Sequence, residues 1–206
     1  MAGMNLTVYA LDGVVPVVDP TAFVHPTAVL IGDVIVGRGC YIGPAACLRG
    51  DFGHIEIRAG ANIQDTCVLH GYPGLGTIVG ENGHVGHGAV LHGCHVGSGA
   101  LIGIGAVIMD NVVIGEHALV AAMSFVKEGT QVPPRVLVAG VPARVVRELT
   151  ETEIAWKSNG TKVYQELAQR SRTEMRECLP LAAVQPDRPV REAGSRPLSE
   201  TRGDAP

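Results

Sequence analysis

The stretch Val96–Val126, VGSGALIGIGAVIMDNVVIGEHALVAAMSFV, places an apolar residue at every sixth position: Val96, Ile102, Ile108, Ile114, Val120 and Val126. Glycine often follows it (Gly97, Gly103, Gly115), and a small or short residue comes four places on (Ala100, Ala106, Val112, Ala118). A fixed period of this kind outranks local propensity, because it describes a repeated structural unit. Each hexapeptide is a short strand plus a corner, and three of them close one turn of a triangular prism. The sixth-position residue points to the axis, and glycine and small residues fit the corners and the narrow interior.

The same period runs upstream through Val24, Leu30, Val36, Ile42 and Leu48. After Asp51 its phase resets, and it continues at Ile57, Ile63, Leu69, then Val79, Val85 and Leu91. Two segments break it, Asp51–His54 and Gly71–Ile78, and each is expected to be a loop leaving a corner. The predicted organisation is a cap over 1–20, the β-helix over 21–131, an extended exit over 132–149, and a helical segment over 150–179. Residues 180–206, rich in Pro, Arg and Glu, are expected to be a disordered tail. Thr150-Glu151-Thr152-Glu153 is a capping box that opens the helix. Helical sequence runs from about Glu151 to Glu177, with an interruption expected at Ser158-Asn159-Gly160. Val163, Leu167 and Tyr164, Ala168 give the helix an apolar stripe that must pack on something.

Composition narrows the function. Aromatics make up 4% of the chain against 27 glycines, so the core is built from stacked aliphatic residues. Sixteen Lys and Arg against 20 Asp and Glu leave a net charge of −4, which gives nucleic acid no basic field to bind. No apolar run approaches the ~20 residues of a membrane span. The N-terminus lacks a signal-peptide pattern, and the 5 cysteines lack a CxxC pair, so a reducing cytoplasm is expected.

The register then places the polar residues. Arg49, His70 and His92 each follow a core residue (Leu48, Leu69, Leu91). If those leucines share a face in successive turns, the three side chains form an outward column. With strands ~4.8 Å apart, His70 and His92 can grip one ion. Asp65 and His87 fall at equivalent places after Ile63 and Val85, and form a second column on the neighbouring face. The two columns meet only if prisms associate side by side, so a homotrimer is predicted, with His70 and His92 from one subunit and His87 from the next. Three imidazoles leave a coordination position open, as in catalytic zinc sites. Such a metal lowers the pKa of its water toward neutrality. Fe2+ or Co2+ suits the same ligands.

Other histidines have plainer readings. His84 is adjacent to this set but falls at the sixth position of its unit, off both columns, which leaves a pocket role open. His25, His54, His95 and His117 read as surface or corner residues. Cys40 and Cys67 occupy the small-residue slot and read as inert core, and Cys94 is not needed as a ligand.

LRGD (Leu48–Asp51), NIQD (Asn62–Asp65), LHG (Leu69–Gly71) and VGHGAVLHGC (Val85–Cys94) together resemble the γ-class carbonic anhydrase-like hexapeptide proteins. HPTAVLIGDV, ENGHVGHGAVLHGC and LTETEIAWKSNGTKVYQEL are similar to the branch of that family associated with phenylacetate degradation and carnitine operons. The resemblance implies an all-β fold, a left-handed parallel β-helix with a C-terminal helix packed alongside, assembled as a trimer. It implies Zn2+ held by His70, His87 and His92. Gln64 would hydrogen-bond the metal-bound oxygen, and Arg49, Asp51 and Asp65 would form a charged network around the site.

The best-studied members carry acidic proton-shuttle residues. Here Phe52 follows Asp51, and Gly71–Ile78 contains no carboxylate. The expected function is therefore a zinc-dependent hydrolase, a thioesterase acting on aromatic, phenylacetyl-type acyl-CoA in phenylacetate degradation through a metal-bound hydroxide. Metal, Gln64 or Arg49 would stabilise the oxyanion. The alternatives are a carbonic anhydrase acting on CO2 and bicarbonate, a non-catalytic trimeric accessory protein, and a hexapeptide acyltransferase.

Overall fold

The computed structural model describes residues 6–189. Parallel strands stack into the expected left-handed β-helix, with a single long helix laid along one side. Three inward ladders form the core. One runs Leu30, Leu48, Leu69, Leu91, Ile108, Val126. The second runs Val36, Ile57, Val79, Val96, Ile114, Val132. The third runs Ile42, Ile63, Val85, Ile102, Val120, Val138. Nearly all these side chains are fully buried in one continuous cluster with Ala28, Ala46, Ala61, Ala89, Ala100 and Ala106. At ~25 cal/mol per Å² of apolar area, this axis supplies most of the favourable folding term.

The chain enters the coil through its N-terminal cap and leaves it later than expected. Thr7–Tyr9 and Val17–Val18 both pair in parallel with Val29–Val36, so the N-terminal cap extends the sheet. At the other end the coil does not stop at 131. Val136–Gly140 continues the third ladder in parallel with Leu119–Val120, and Ala143–Glu148 returns antiparallel beside it. The six-residue spacing itself runs on through Val132 and Val138, which the reading of 132–149 as an extended exit overlooks.

Asp51–His54 is not a loop. Cys47–Ile57 is one strand that runs through the corner and serves two faces, pairing with Val68–His70 at its start and Thr77–Val79 at its end. The loop is shorter than expected, residues 71–76, closed by a Tyr72–Leu75 bridge. It lies directly on the long strand. A Cβ on Gly53 would sit 2.6 Å from Tyr72 O, so glycine alone permits that approach.

The helix spans Glu151–Glu174 without a break. Thr150 and Glu153 form the predicted capping box, and Arg147 holds Glu153 at 2.7 and 2.8 Å. The expected interruption is absent because its neighbours are anchored. Lys157 Nζ donates to Asn82 O at 2.9 Å, and the Ser158 hydroxyl bonds Ile154 O within the helix, while Gly160 faces open space. Glycine costs ~1 kcal/mol at such a position, and these contacts offset it. The helix packs through Ala168 and Tyr164 against Phe23 and Tyr41. Among the described residues no helix is long and apolar enough to cross a membrane. The expected tail lies largely outside the described residues; 180–189 are exposed and form no helix or strand.

Candidate functional site

The register sets Arg49, His70 and His92 side by side on one face, as their spacing predicts. Carboxylates brace the column at both ends. His70 Nε2 lies 3.0 Å from Asp51 Oδ1, and Asp51 Oδ2 accepts from Arg49 Nη1 at 2.9 Å. His92 Nδ1 lies 2.7 Å from Asp110 Oδ1. With each carboxylate taking the ring N–H that faces it, the other nitrogens, His70 Nδ1 and His92 Nε2, are left bare. These two converge at 3.0 Å.

Two lone pairs aimed at one another repel unless a proton or cation lies between them. Tetrahedral bonds of about 2.0–2.1 Å to one ion would set two nitrogens about 3.3 Å apart, close to the separation observed. Histidine donating its second N–H to a carboxylate is the usual support for a metal ligand. The donor set therefore fits a zinc-type ion.

Asp110 was not anticipated from the sequence. It lies one coil after His92, at the place in its hexapeptide that Asp65 and His87 occupy in theirs. An acidic residue inside the apolar run AVIMDNVVI was the available signal.

His87 stands on the other column. Asp65 Oδ2 lies 3.2 Å from its Nδ1, as the register predicts, and both side chains are more than 40% exposed. His70, by contrast, is 12% exposed. Among the described residues no three His, Cys, Asp or Glu side chains of one chain are grouped so that they could hold a metal ion. His70 and His92 form a pair, and His87 faces outward from the adjacent corner. The same corner continues down the coil as Ile104 and Met123, both more than half exposed.

Gln64 shares a groove of about 490 Å³ with His87, His84, Ile104, Trp156 and Tyr164. It is 3% exposed, and its amide nitrogen has two close neighbours. Nε2 lies 3.1 Å from Asn62 Oδ1 and 2.7 Å from His84 Nε2. Asn62 Nδ2 lies 3.2 Å from His84 Nδ1, so the one imidazole joins both buried amides. His84 is no ligand; it sits beneath the helix, edge-on to Tyr164, with Thr161 Oγ1 3.5 Å from Nδ1. Burial, then the charge of Lys157, then His87, pushes its pKa down to about 3, so it stays neutral.

Phe52 and Tyr72, both at least 60% exposed, stand at the mouth of the first half-site, with the Phe52 ring 5.5 Å from His70. Cys40, Cys67 and Cys94 are buried thiols with no role in the site: burial lifts Cys40 and Cys67 to about 11 and Cys94 to about 12. His54 pairs with Asp33 at 3.0 Å. His117 stands at a corner, as read, with its Nδ1 buried and unpartnered against Gly99.

Comparison with known proteins places these features among relatives. Residues 93–128 match the model of the bacterial transferase hexapeptide (six repeats). The carnitine operon protein CaiE of Salmonella agona is 58% identical over 89% of this chain and 93% of its own length. The Escherichia coli K12 protein of that name is 56% identical over 89% and 94%. A crystal structure from Bacillus cereus, of a protein described as a candidate acetyltransferase, is 34% identical with a TM-score of 0.82, covering 83% of this chain and 99% of that one. A hexapeptide transferase family protein from Anaplasma phagocytophilum is 36% identical, with a TM-score of 0.77 over 80% and 97%.

Proposed function

The chain belongs to the hexapeptide-repeat family of the carnitine operon protein CaiE, and from that premise we propose that it is a metal-dependent hydrolase of acyl-CoA thioesters, its site completed by a second copy of the chain. One observation carries the reading: the bare nitrogens of His70 and His92 converge at 3.0 Å while Asp51 and Asp110 hold their other nitrogens. His87, outward-facing and oriented by Asp65, supplies the third donor from a neighbouring subunit of a homotrimer. The exposed Ile104 and Met123 on its corner give that neighbour an apolar strip to cover.

A zinc-type ion held there supplies Lewis acidity and lowers the pKa of water toward neutrality; Fe2+ or Co2+ fits the same imidazoles. The protein's own groups do the rest. Asp51, Asp65 and Asp110 fix the direction of each imidazole. Arg49 is bound to Asp51 and keeps one end of the column positive. Gln64 contributes a polar contact from the groove that also holds His87. Phe52, Tyr72 and Trp156 offer apolar surface to an acyl group and exclude water from around it. The net reaction adds water across the thioester C–S bond and releases acid and thiol.

An aromatic acyl group remains part of this reading because of Phe52 and Tyr72. The phenylacetate pathway does not, since relatives more than half identical are named for a carnitine operon. CO2 hydration uses the same ligands but needs proton export, and no carboxylate lies in the loop 71–76. Acyl transfer is favoured as a second reading by the similarity to a structure described as a candidate acetyltransferase.

The test is metal content of the purified protein, measured with parallel assays of thioester cleavage and CO2 hydration. Bound transition metal and CoA release from acetyl-CoA or phenylacetyl-CoA, lost on chelation, is expected. CO2 hydration alone, CoA release only with an amine acceptor, or release unaffected by chelation overturns the proposal.

A further inference from the structure

We infer that the apolar groove beside His87 holds the acyl chain of the substrate, and that Leu101, Leu119, Ala121 and Trp156 select an uncharged hydrocarbon chain longer than acetyl. The inference rests on the reading of this protein as a thioester hydrolase and names its substrate class. The repeat itself makes the floor of the groove. In the outward column that follows the third core ladder, Gln64 is succeeded one coil at a time by Gly86, Gly103 and Ala121. A Cβ on Gly86 would sit 2.9 Å from Ile104 N, so the stacking of the coils keeps that floor bare. The adjoining column runs Phe23, Tyr41, Asn62, His84, Leu101, Leu119. The helix packs on the strands of the first three of these and buries them, whereas Leu101 and Leu119 are only partly buried. The space left there, about 490 Å³, is bounded by those leucines, Ile104, Ala121, Trp156 and Tyr164. Its polar side chains, Gln64, His84 and His87, all stand at one end, the end beside the metal half-site, and the described residues that line it include no Asp, Glu, Lys or Arg. A ligand matching this lining has an uncharged polar group at His87 and only carbon beyond it, as an acyl thioester does. A charge carried on the chain would lose its water there and gain no partner.

Trp156 is the one tryptophan of the chain, so its fluorescence reports on the groove without any turnover. Titration of the full-length protein with butanamide, hexanamide and octanamide, neutral chains with one polar end, should shift that emission to the blue and saturate. Each added CH2 should tighten binding about fourfold, the worth of burying one methylene. In turnover, kcat/KM for acetyl-, butyryl-, hexanoyl- and octanoyl-CoA should climb by the same step. Ala121→Leu builds side chain into the floor and should flatten both series. Leu119→Asn puts a polar group in the wall, should also flatten them, and serves if the first variant does not fold. A series flat with the amides, or flat with thioesters that are cleaved, overturns the inference. So does a dependence on chain length that survives in both variants. Emission from Trp156 that follows protein dilution and ignores the amides means that a second copy fills the groove, which overturns it as well. If the wild type cleaves no thioester, the hydrolase reading fails separately, and the amide series alone decides whether the groove takes a hydrocarbon chain.

Discussion

On one face of the coil, His70 and His92 stand in a strand ladder and lean on Asp51 and Asp110, with His70 only 12% exposed. On the next corner His87 stands in the open beside Asp65, and order lies behind it, in buried amides pinned by a helix. The first half is the repeat's own product: stacking residues one coil apart forces the imidazoles together. The second half joins Asn62, Gln64 and His84 of the repeat to Thr161 and Tyr164 of the helix. A periodic scaffold sets the histidines in line, and a non-repeating helix covers the buried amides behind His87.

Breaking the first half has the largest expected effect. His92→Ala should abolish retention of transition metal, measured by elemental analysis after gel filtration, while circular dichroism stays that of the wild type. His87→Ala should do the same although that residue touches neither His70 nor His92 within one chain. Metal retained at wild-type level by either variant would contradict the assignment.

The helix side responds to pH instead. Burial lowers Lys157 from 10.5 to about 8. Between those values the unfolded chain binds the extra proton, so stability rises with pH from about 8 to 10.5 and is unaffected by this group below about 8. At 1.36 kcal/mol per unit the rise is about 3 kcal/mol, an upper figure. Denaturant melts across that window should show the slope, and Lys157→Met should remove it. A wild-type slope equal to that of the variant would show that Lys157 is not held as described. His84 acts in the opposite range: its stabilising contribution is lost as pH falls from 6.5 toward about 3.

Smaller effects sharpen the contrast. Asp110→Asn leaves the ladder intact but weakens the grip on the His92 ring. Metal affinity should fall roughly 10–100-fold, read by competition with a chelating dye, and an unchanged affinity would remove Asp110 from the site. Thr150→Ala costs about 1 kcal/mol through the lost cap. It should loosen hydrogen exchange in the helix and at Gln64 while leaving the strands bearing His70 and His92 unchanged. Uniform loosening would mean the two halves are not separate.

The same division explains what the sequence made legible. The hexapeptide period located the three core ladders, the Arg49–His70–His92 column and the Asp65–His87 pair, because each depends only on step length. Asp110 follows the same rule but was masked by its apolar neighbours. The long strand through Asp51–His54 was misread as a loop, since a strand serving two faces breaks the period without leaving the coil. The helix appeared interrupted because Ser158, Asn159 and Gly160 are weak formers, and Lys157 and Thr161, which anchor it, do so through contacts about 75 residues away in sequence. The buried network of Asn62, Gln64 and His84 joins residues about 20 apart in sequence and has no local signal.

Mixing two inactive variants tests most directly whether one subunit's His70 and His92 work with another's His87. His92→Ala retains only the second half-site, and His87→Ala only the first. Unfolded together and refolded, they should form mixed trimers with one intact interface each, regaining metal and activity up to about one third of wild type, while neither recovers alone. Recovery absent from mixed trimers confirmed by mass spectrometry, or a chain that stays monomeric, would contradict the account.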